Sequence, residues 1–308
     1  MNNEVTNKAN EILTQYGLDF TIEKQQLVGL RPVTVVGEGG ELEQAIQQIA
    51  TPYFGLYNDK TKEMINTVKK GYTVSQNAEL VELVLEGMKG FGELSVSKAG
   101  SLNGGRKVFI QLGIEGMSKV GSDNIKRYVT IIDSNDGSTG LSVGIGDLTM
   151  SCSNQFYQFN RSGDAKWRHS ASLIEKLKTL PSLISNALAD SLRMIEVYKA
   201  FESTPCSRNL ANDLVNHITG IDKTMDLSEK STKAVNAMNE LYLAIETEMN
   251  QKGDNVWGLH SGVTRWTTHT KMAPNREHGR FESSATSTNY KTNQKSLAFA
   301  MELAQVEM

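Results

Sequence analysis

Cationic and aromatic side chains recur in short groups through the middle of the chain, and their types and spacing suit the capture of phosphate. Arg106 and Lys107 follow a Gly104-Gly105 turn, Lys126 and Arg127 open a later strand-like run, and Arg161 precedes Lys166-Trp167-Arg168-His169 at the start of a helical pattern. Guanidinium and ammonium groups neutralise phosphates and release counterions, a hold that weakens with salt and is blind to base identity. A helix start adds N–H groups that favour anions, and an indole face can stack a base. Each group also has a plainer use. Trp167 equally suits packing at a sheet–helix junction while its charged neighbours run their stems along the surface, and lysines or arginines on edge strands discourage aggregation. The local sequence leaves both uses open.

Other residues suggest chemistry less strongly. Asp133 and Asp136 in IIDSNDGS offer a pair of oxygen ligands for magnesium, but an Asp-Gly turn needing positive φ explains them without a metal. In VWGLHSGVTRWTTHTK, Trp257 and His260 are followed by Trp266 and His269, with Arg265 and Lys271 supplying charge. His260, His269 and His278 lack the i, i+4 spacing of helical metal ligands. The tryptophans therefore read as anchors of a helix, with Arg276 and Arg280 in a following loop that closes over a bound strand in the alternative reading. No G-x-S-x-G elbow, Walker loop, H-E-x-x-H motif or post-strand G-x-G-x-x-G accompanies these residues. The expectation is a binding protein with no catalytic residues, metal or cofactor.

The elements that must position these groups follow from composition and periodicity. With 308 residues, 39% hydrophobic and 22% charged, the chain has the make-up of a globular protein able to bury a substantial core. A net charge of −3 excludes an all-over basic wrap, so any polyanion site is regional. Cys152 and Cys206 are the two cysteines and have no CxxC spacing, which points to a reducing cytoplasm. The opening residues lack the layout of a signal peptide, and no apolar run approaches a membrane span.

An amphipathic N-terminal helix on Val5, Ala9, Ile12 and Leu13 leads into short strands cut by Gly29, Pro32 and the Gly37 to Gly40 turn. A hairpin follows at Asn58-Asp59, then a helix from Ala78 capped by Asn77. The clearest β region lies between residues 93 and 150, with turns at Asn103-Gly104-Gly105 and Asn135-Asp136-Gly137. Its interrupting glycines predict a coiled sheet. From Ser170 the period is helical, with a kink or restart at Pro181 and a mobile loop near 272–294. The expected class is α+β, a coiled antiparallel sheet with flanking helices followed by a mainly helical C-terminal region. The division expected is a 1–178 core carrying the basic groove and a 179–308 helical region.

Taken in order, YFGLYNDKTKEMINTVKKGYTVSQNAELVEL, AGSLNGGRKVFIQLGI, YVTIIDSNDGST, SCSNQFYQF, WRHS and GDNVWGLHSGVTRW resemble the phage/plasmid-like proteins grouped as a domain of unknown function. The likeness runs from about Tyr53 to Thr270 and departs from the family pattern at Cys152, which follows a serine, and at Asn154-Gln155. That family is in turn similar in fold to the single-strand annealing superfamily of Redβ, RecT, Erf and Sak proteins. The resemblance implies ATP-independent binding and annealing of single-stranded DNA by a homo-oligomer, as a ring or helical filament, in phage recombination within the bacterial cytoplasm. It carries to Arg106, Lys107, Lys166, Arg168 and His169 as the matching cations. A reading from another class is a phage-encoded interaction protein that inhibits a host defence complex through its helical half. A magnesium-dependent nuclease on Asp133 and Asp136 is the third.

Overall fold

The computed structural model describes residues 3–102, 104–149, 154–158, 166–220, 231–270 and 288–307. Helix α1 (Asn3–Gln15) buries Val5, Ala9, Ile12 and Leu13, the stripe its spacing predicts. The chain then forms a long hairpin of β1 (Ile22–Val36) and β2 (Leu42–Asn58), and β3 (Met64–Lys69) pairs only with the segment Tyr53 to Tyr57. The short strands expected on either side of Gly29 and Pro32 are one continuous strand. Pro32, opposite Ile46, is tolerated because β1 is an edge strand whose outer side has no partner among the described residues.

Helix α2 (Asn77–Gly87) buries Leu80, Val81, Val84 and Leu85. Asn77 is not its cap. Its side-chain amide donates to the Leu18 carbonyl at 2.9 Å, spending the group on a tie to the chain between α1 and β1. Gln76, just before the helix, accepts from the Ile22 N–H and donates to the Ile22 carbonyl, both at 3.0 Å, as a strand residue would.

The second sheet follows the order β4 (Leu94–Leu102), β5 (Lys107–Val120), β6 (Asp123–Ser134), β7 (Leu141–Thr149) and β8 (Asn154–Gln158). The two-residue β9 (Lys166–Trp167) pairs with β7 at Ser142 and Leu141. Gly104, Gly105 and Gly137 adopt φ of +71°, +91° and +78° at the two predicted turns, a region costly for other residues. Register shifts between Val96 and Lys98 and between Ile114 and Ser118 place an extra residue in β4 and break the ladder of β5. Such irregularities coil a sheet, as the glycines there suggest.

Helix α3 (Leu173–Ser203) packs on this sheet and continues through Pro181 without a restart. It lies close to α2 because Gly87 faces it; a Cβ there would come within 2.6 Å of the Pro181 carbonyl oxygen. One core gathers α1, α2, both sheets and α3 as far as Leu188. A second begins on α3 at Met194 and takes in Val120 and Ile125 from the sheet. It is completed by α4 (Arg208–Thr219), α5 (Thr232–Lys252), α6 (Val256–Arg265) and α7 (Thr288–Ala304), with a π-helical turn at Trp266–Thr270 after α6. Of the loop expected near 272–294, residues up to 287 lie outside the described set, and the rest is already helix α7. The class is α+β, as the sequence predicts. Among the described residues no helix is long and apolar enough to cross a membrane.

Candidate functional site

Segments distant in sequence meet where the two sheets join the start of α3. Asp133, near the end of β6, is 1% exposed; its Oδ2 accepts from Ser75 Oγ at 2.5 Å and its Oδ1 lies 2.9 Å from His169 Nε2. At this distance the contact is an ion pair when the imidazole is protonated. The other ring nitrogen, Nδ1, is 3.0 Å from the Thr73 carbonyl oxygen. Both neighbours only accept, and a ring protonated on both nitrogens suits them. Burial alone would lower the His169 pKa, but the Asp133 carboxylate and the Thr73 carbonyl outweigh it and raise the value. Tyr72 lies flat on the imidazole with centroids 4.8 Å apart and planes 5° apart. Burial, then the charges of Asp133 and Asp136, pushes the Tyr72 phenol far above its ordinary range, so it stays neutral and donates toward the Ser134 carbonyl and Asn135 Oδ1 at 3.4 Å.

This junction lacks the order of a hydrolytic triad. Ser75 donates to Asp133, not to His169, and sits fully buried; a nucleophile must instead face the imidazole that takes its proton. The magnesium reading fares no better here. Asp136 accepts from the Ser138 N–H at 2.8 Å and from Ser134 Oγ at 2.6 Å, which shapes the turn at Gly137, while Asp133 is committed to Ser75 and His169.

The cations divide into two places. From β9 onward the chain alternates: Lys166 and Arg168 are exposed, Trp167 and His169 buried. The expectation that Trp167 stacks a base and His169 meets phosphate is therefore corrected. Trp167 is 5% exposed within the first core and His169 is paired to Asp133, so both are roots that turn their neighbours outward. Arg106 is exposed and Lys107 half-buried at the start of β5, opposite Asn135 and Ser134. Since β5, β6, β7 and β9 are successive neighbours, Arg106, Lys107, Lys166 and Arg168 share one end of the sheet. They span three strand spacings of about 4.8 Å each.

Lys126 and Arg127 do not join them. Arg127 precedes Ser134 by seven residues on β6, roughly 23 Å along the strand. Lys126 Nζ is held by Glu115 Oε1 at 2.8 Å and Ser95 Oγ at 3.0 Å, and Arg127 Nη2 donates to Ser118 Oγ at 3.0 Å. Arg127 instead lines a groove of about 560 Å³ with Ser118, Lys119 and, from α3, Leu192, Arg193, Glu196 and Lys199. Sequence reasoning missed this groove, although residues 193, 196 and 199 fall three apart on one helix face. Arg161 lies outside the described residues, as do Cys152, His278, Arg276 and Arg280.

Residues 64–298 match the family described as a domain of unknown function, DUF932. The chain belongs to that family. No curated protein and no solved structure matches it.

The segments that carry the DUF932 likeness have identifiable structural work. Tyr72, Ser75, Asp133, Asn135 and His169 build the buried junction. Gly105 sits where a Cβ would come within 2.9 Å of the Phe20 ring, and the neighbouring Arg106 carbonyl accepts from the Asn135 N–H at 2.8 Å. In the helical half, Trp257 is core, as its spacing predicts: its Nε1 donates to Asp123 Oδ2 at 2.7 Å. Lys252 Nζ meets the same carboxylate and lies 3.5 Å from Glu248, which also holds Arg265 at 3.1 Å. His260 is fully buried, 2.8 Å from Ser296 Oγ, and burial lowers its pKa to about 3, so it stays neutral. Gly258 and Gly262 let α6 lie directly on the α5 backbone at Met249 and Ile245. Cys206 is buried, and burial raises its thiol pKa to about 11.

Proposed function

We propose that this DUF932 protein binds single-stranded DNA and anneals complementary strands without ATP, as an oligomer in the cytoplasm of a phage's bacterial host, in the manner of the single-strand annealing superfamily it resembles. The observation that carries the reading is the end of the second sheet, where exposed Lys166 and Arg168 stand out from buried Trp167 and His169 beside Arg106 and Lys107. Such a surface holds a sugar–phosphate backbone and leaves the bases free to pair with a second strand. Asp136 lies near enough to Lys107 to feel its charge, and Glu63 lies beside Gly104, so the surface combines four cations with at least two nearby carboxylates.

The test is fluorescence anisotropy of a labelled oligothymidine across a salt series, with quenching-based annealing of complementary oligonucleotides in parallel. Wild-type affinity is expected to fall steeply with salt. Lys166→Ala with Arg168→Ala should remove two phosphate contacts and flatten the log–log salt slope by about 1.4. An unchanged slope with normal folding overturns the assignment of this surface. The second reading, an interaction protein that occupies a host defence complex, is favoured by the exposed apolar residues of the β1–β2 hairpin and by the net acidity. No oligonucleotide shift at either low or moderate salt would select it.

A further inference from the structure

The β1–β2 hairpin leaves the body after the register shift between Gln26 and Val28, and beyond Tyr53 toward its tip no third strand among the described residues accompanies it. No side chain from residues 27–52 belongs to either core. A lone two-stranded ribbon in water is marginal, yet this one is apolar where it is most exposed. The register puts Val28 with Ala50, Leu30 with Gln48, Pro32 with Ile46 and Val36 with Leu42 on one face. Leu30, Ile46, Val36 and Leu42 are 65%, 67%, 70% and 76% exposed. Thr34 and Gln44, joined by a 3.2 Å hydrogen bond, cross this face between Ile46 and Leu42, so the stripe is apolar on either side of one polar pair; exposed apolar surface of this kind marks a contact surface. The tip is acidic, with Glu38, Glu41 and Glu43, and the arm's sole cation is Arg31.

The complementary surface is the groove between β5, β6 and α3. Lys119, Arg127, Arg193 and Lys199 face it, with Glu196 inside and Asp190 at its edge, four cations to two carboxylates. The Arg193–Asp190 and Lys199–Glu196 pairs are exposed, and such pairs are weak enough to be exchanged for a better partner. Leu192, 52% exposed, adds an apolar side chain to the lining that the stripe can meet.

We propose that the β1–β2 arm docks into the Lys119–Arg193–Lys199 groove of a second copy of this chain, and that two copies exchange arms. The inference rests on the proposal that the protein acts as an oligomer and supplies that oligomer's first contact. Size decides for exchange. The stretch Val28 to Val36 is about 30 Å long and the ribbon about 10 Å wide, so one docked face covers about 300 Å² on each side. A single dock, at about 600 Å² in total, falls below a stable interface, whereas two reciprocal docks reach about 1,200 Å². The product is a two-fold dimer, not an open chain.

The full chain is tested without DNA by light scattering after size exclusion, with circular dichroism to verify folding. The wild type is expected at twice 33.9 kDa. Leu30→Ser with Ile46→Ser should give a folded monomer, because the arm contributes to neither core. Glu41→Lys with Glu43→Lys, and separately Arg193→Glu with Lys199→Glu, should each weaken the dimer at least tenfold, and combining the four should restore it. Should the serine variant misfold, replacement of residues 28–50 by a short glycine-serine turn gives the same reading. A monomeric wild type, a dimer that survives loss of the stripe, or charge-reversed variants that fail to rescue one another each overturn the proposal. Because oligomer mass is read without nucleic acid and strand binding by anisotropy, failure of the dimer and failure of the DNA surface are separate results.

Discussion

The Asp133–His169 pair is expensive to bury and therefore specific in its consequences. His169 keeps a raised pKa in the fold, so it binds its proton more tightly folded than unfolded. The resulting stabilisation is complete below the ordinary value of 6.5 and is lost as pH rises through the higher folded-state value. Among the described residues the groups facing the ring are the stacked neutral Tyr72, the Thr73 carbonyl, and Asp133 with Ser75 behind it. Asp133→Asn keeps the volume and removes the charge. Burial should then dominate and bring the His169 pKa below 6.5, so the ring holds its proton less tightly folded than unfolded and stability falls by about 3–5 kcal/mol at acidic pH. A histidine-detected NMR titration with denaturant melts at pH 5.5 and 8 checks both. A pKa that stays above 6.5 in the variant would show that Asp133 is not what holds the proton.

At the scale of elements, close approach is set by glycines whose neighbours are backbone. A Cβ at Gly262 would collide with the Ile245 main chain, which cannot turn aside as a flexible side chain can. Gly262→Ala should force α6 off α5 and cost about 1–3 kcal/mol, whereas Gly71→Ala, with open space around it, should be neutral or mildly stabilising. Urea melts of both variants measure the contrast, and equal effects would refute close packing of α5 on α6. The same comparison explains what the sequence made legible. The strands of the second sheet are rich in β-branched residues and buried along their middles, and their Gly-rich turns need positive φ, so both could be read locally. The β1–β2 arm has no core behind it. Leu42, Ala45, Ile46 and Ile49 are therefore free of the two-residue period and gave no strand signal. Asn77 and His169 were misread for a related reason: each is spent on a partner more than thirty residues away, Leu18 and Asp133, which no local pattern announces. The exposed pair Lys166 and Arg168 was legible, but not that Lys126 and Arg127 sit at the far end of the same strand set.

Across the whole molecule, two cores share one helix and one polar bolt. α3 belongs to the first core as far as Leu188 and to the second from Met194. The bolt is Asp123, at the start of β6, whose buried carboxylate receives both Lys252 and the Trp257 N–H from the helical half. Lys252 and Asp123 are 4% and 3% exposed in their side chains, and Glu248 beneath them is fully buried. Removing Asp123 takes away the shared acceptor and leaves the Lys252 ammonium with Glu248 at 3.5 Å and the Trp257 ring face at 5.7 Å. Breaking one member out of such a network costs about 3–5 kcal/mol. That loss falls on the contact between the halves and spares the packing inside either one. Calorimetry of the wild type should therefore show a single transition with equal van't Hoff and calorimetric enthalpies, and Asp123→Ala should separate it into two, the helical half melting first. A wild type that already melts in two steps, or a variant that keeps one, would mean that α3 alone governs how the two cores communicate.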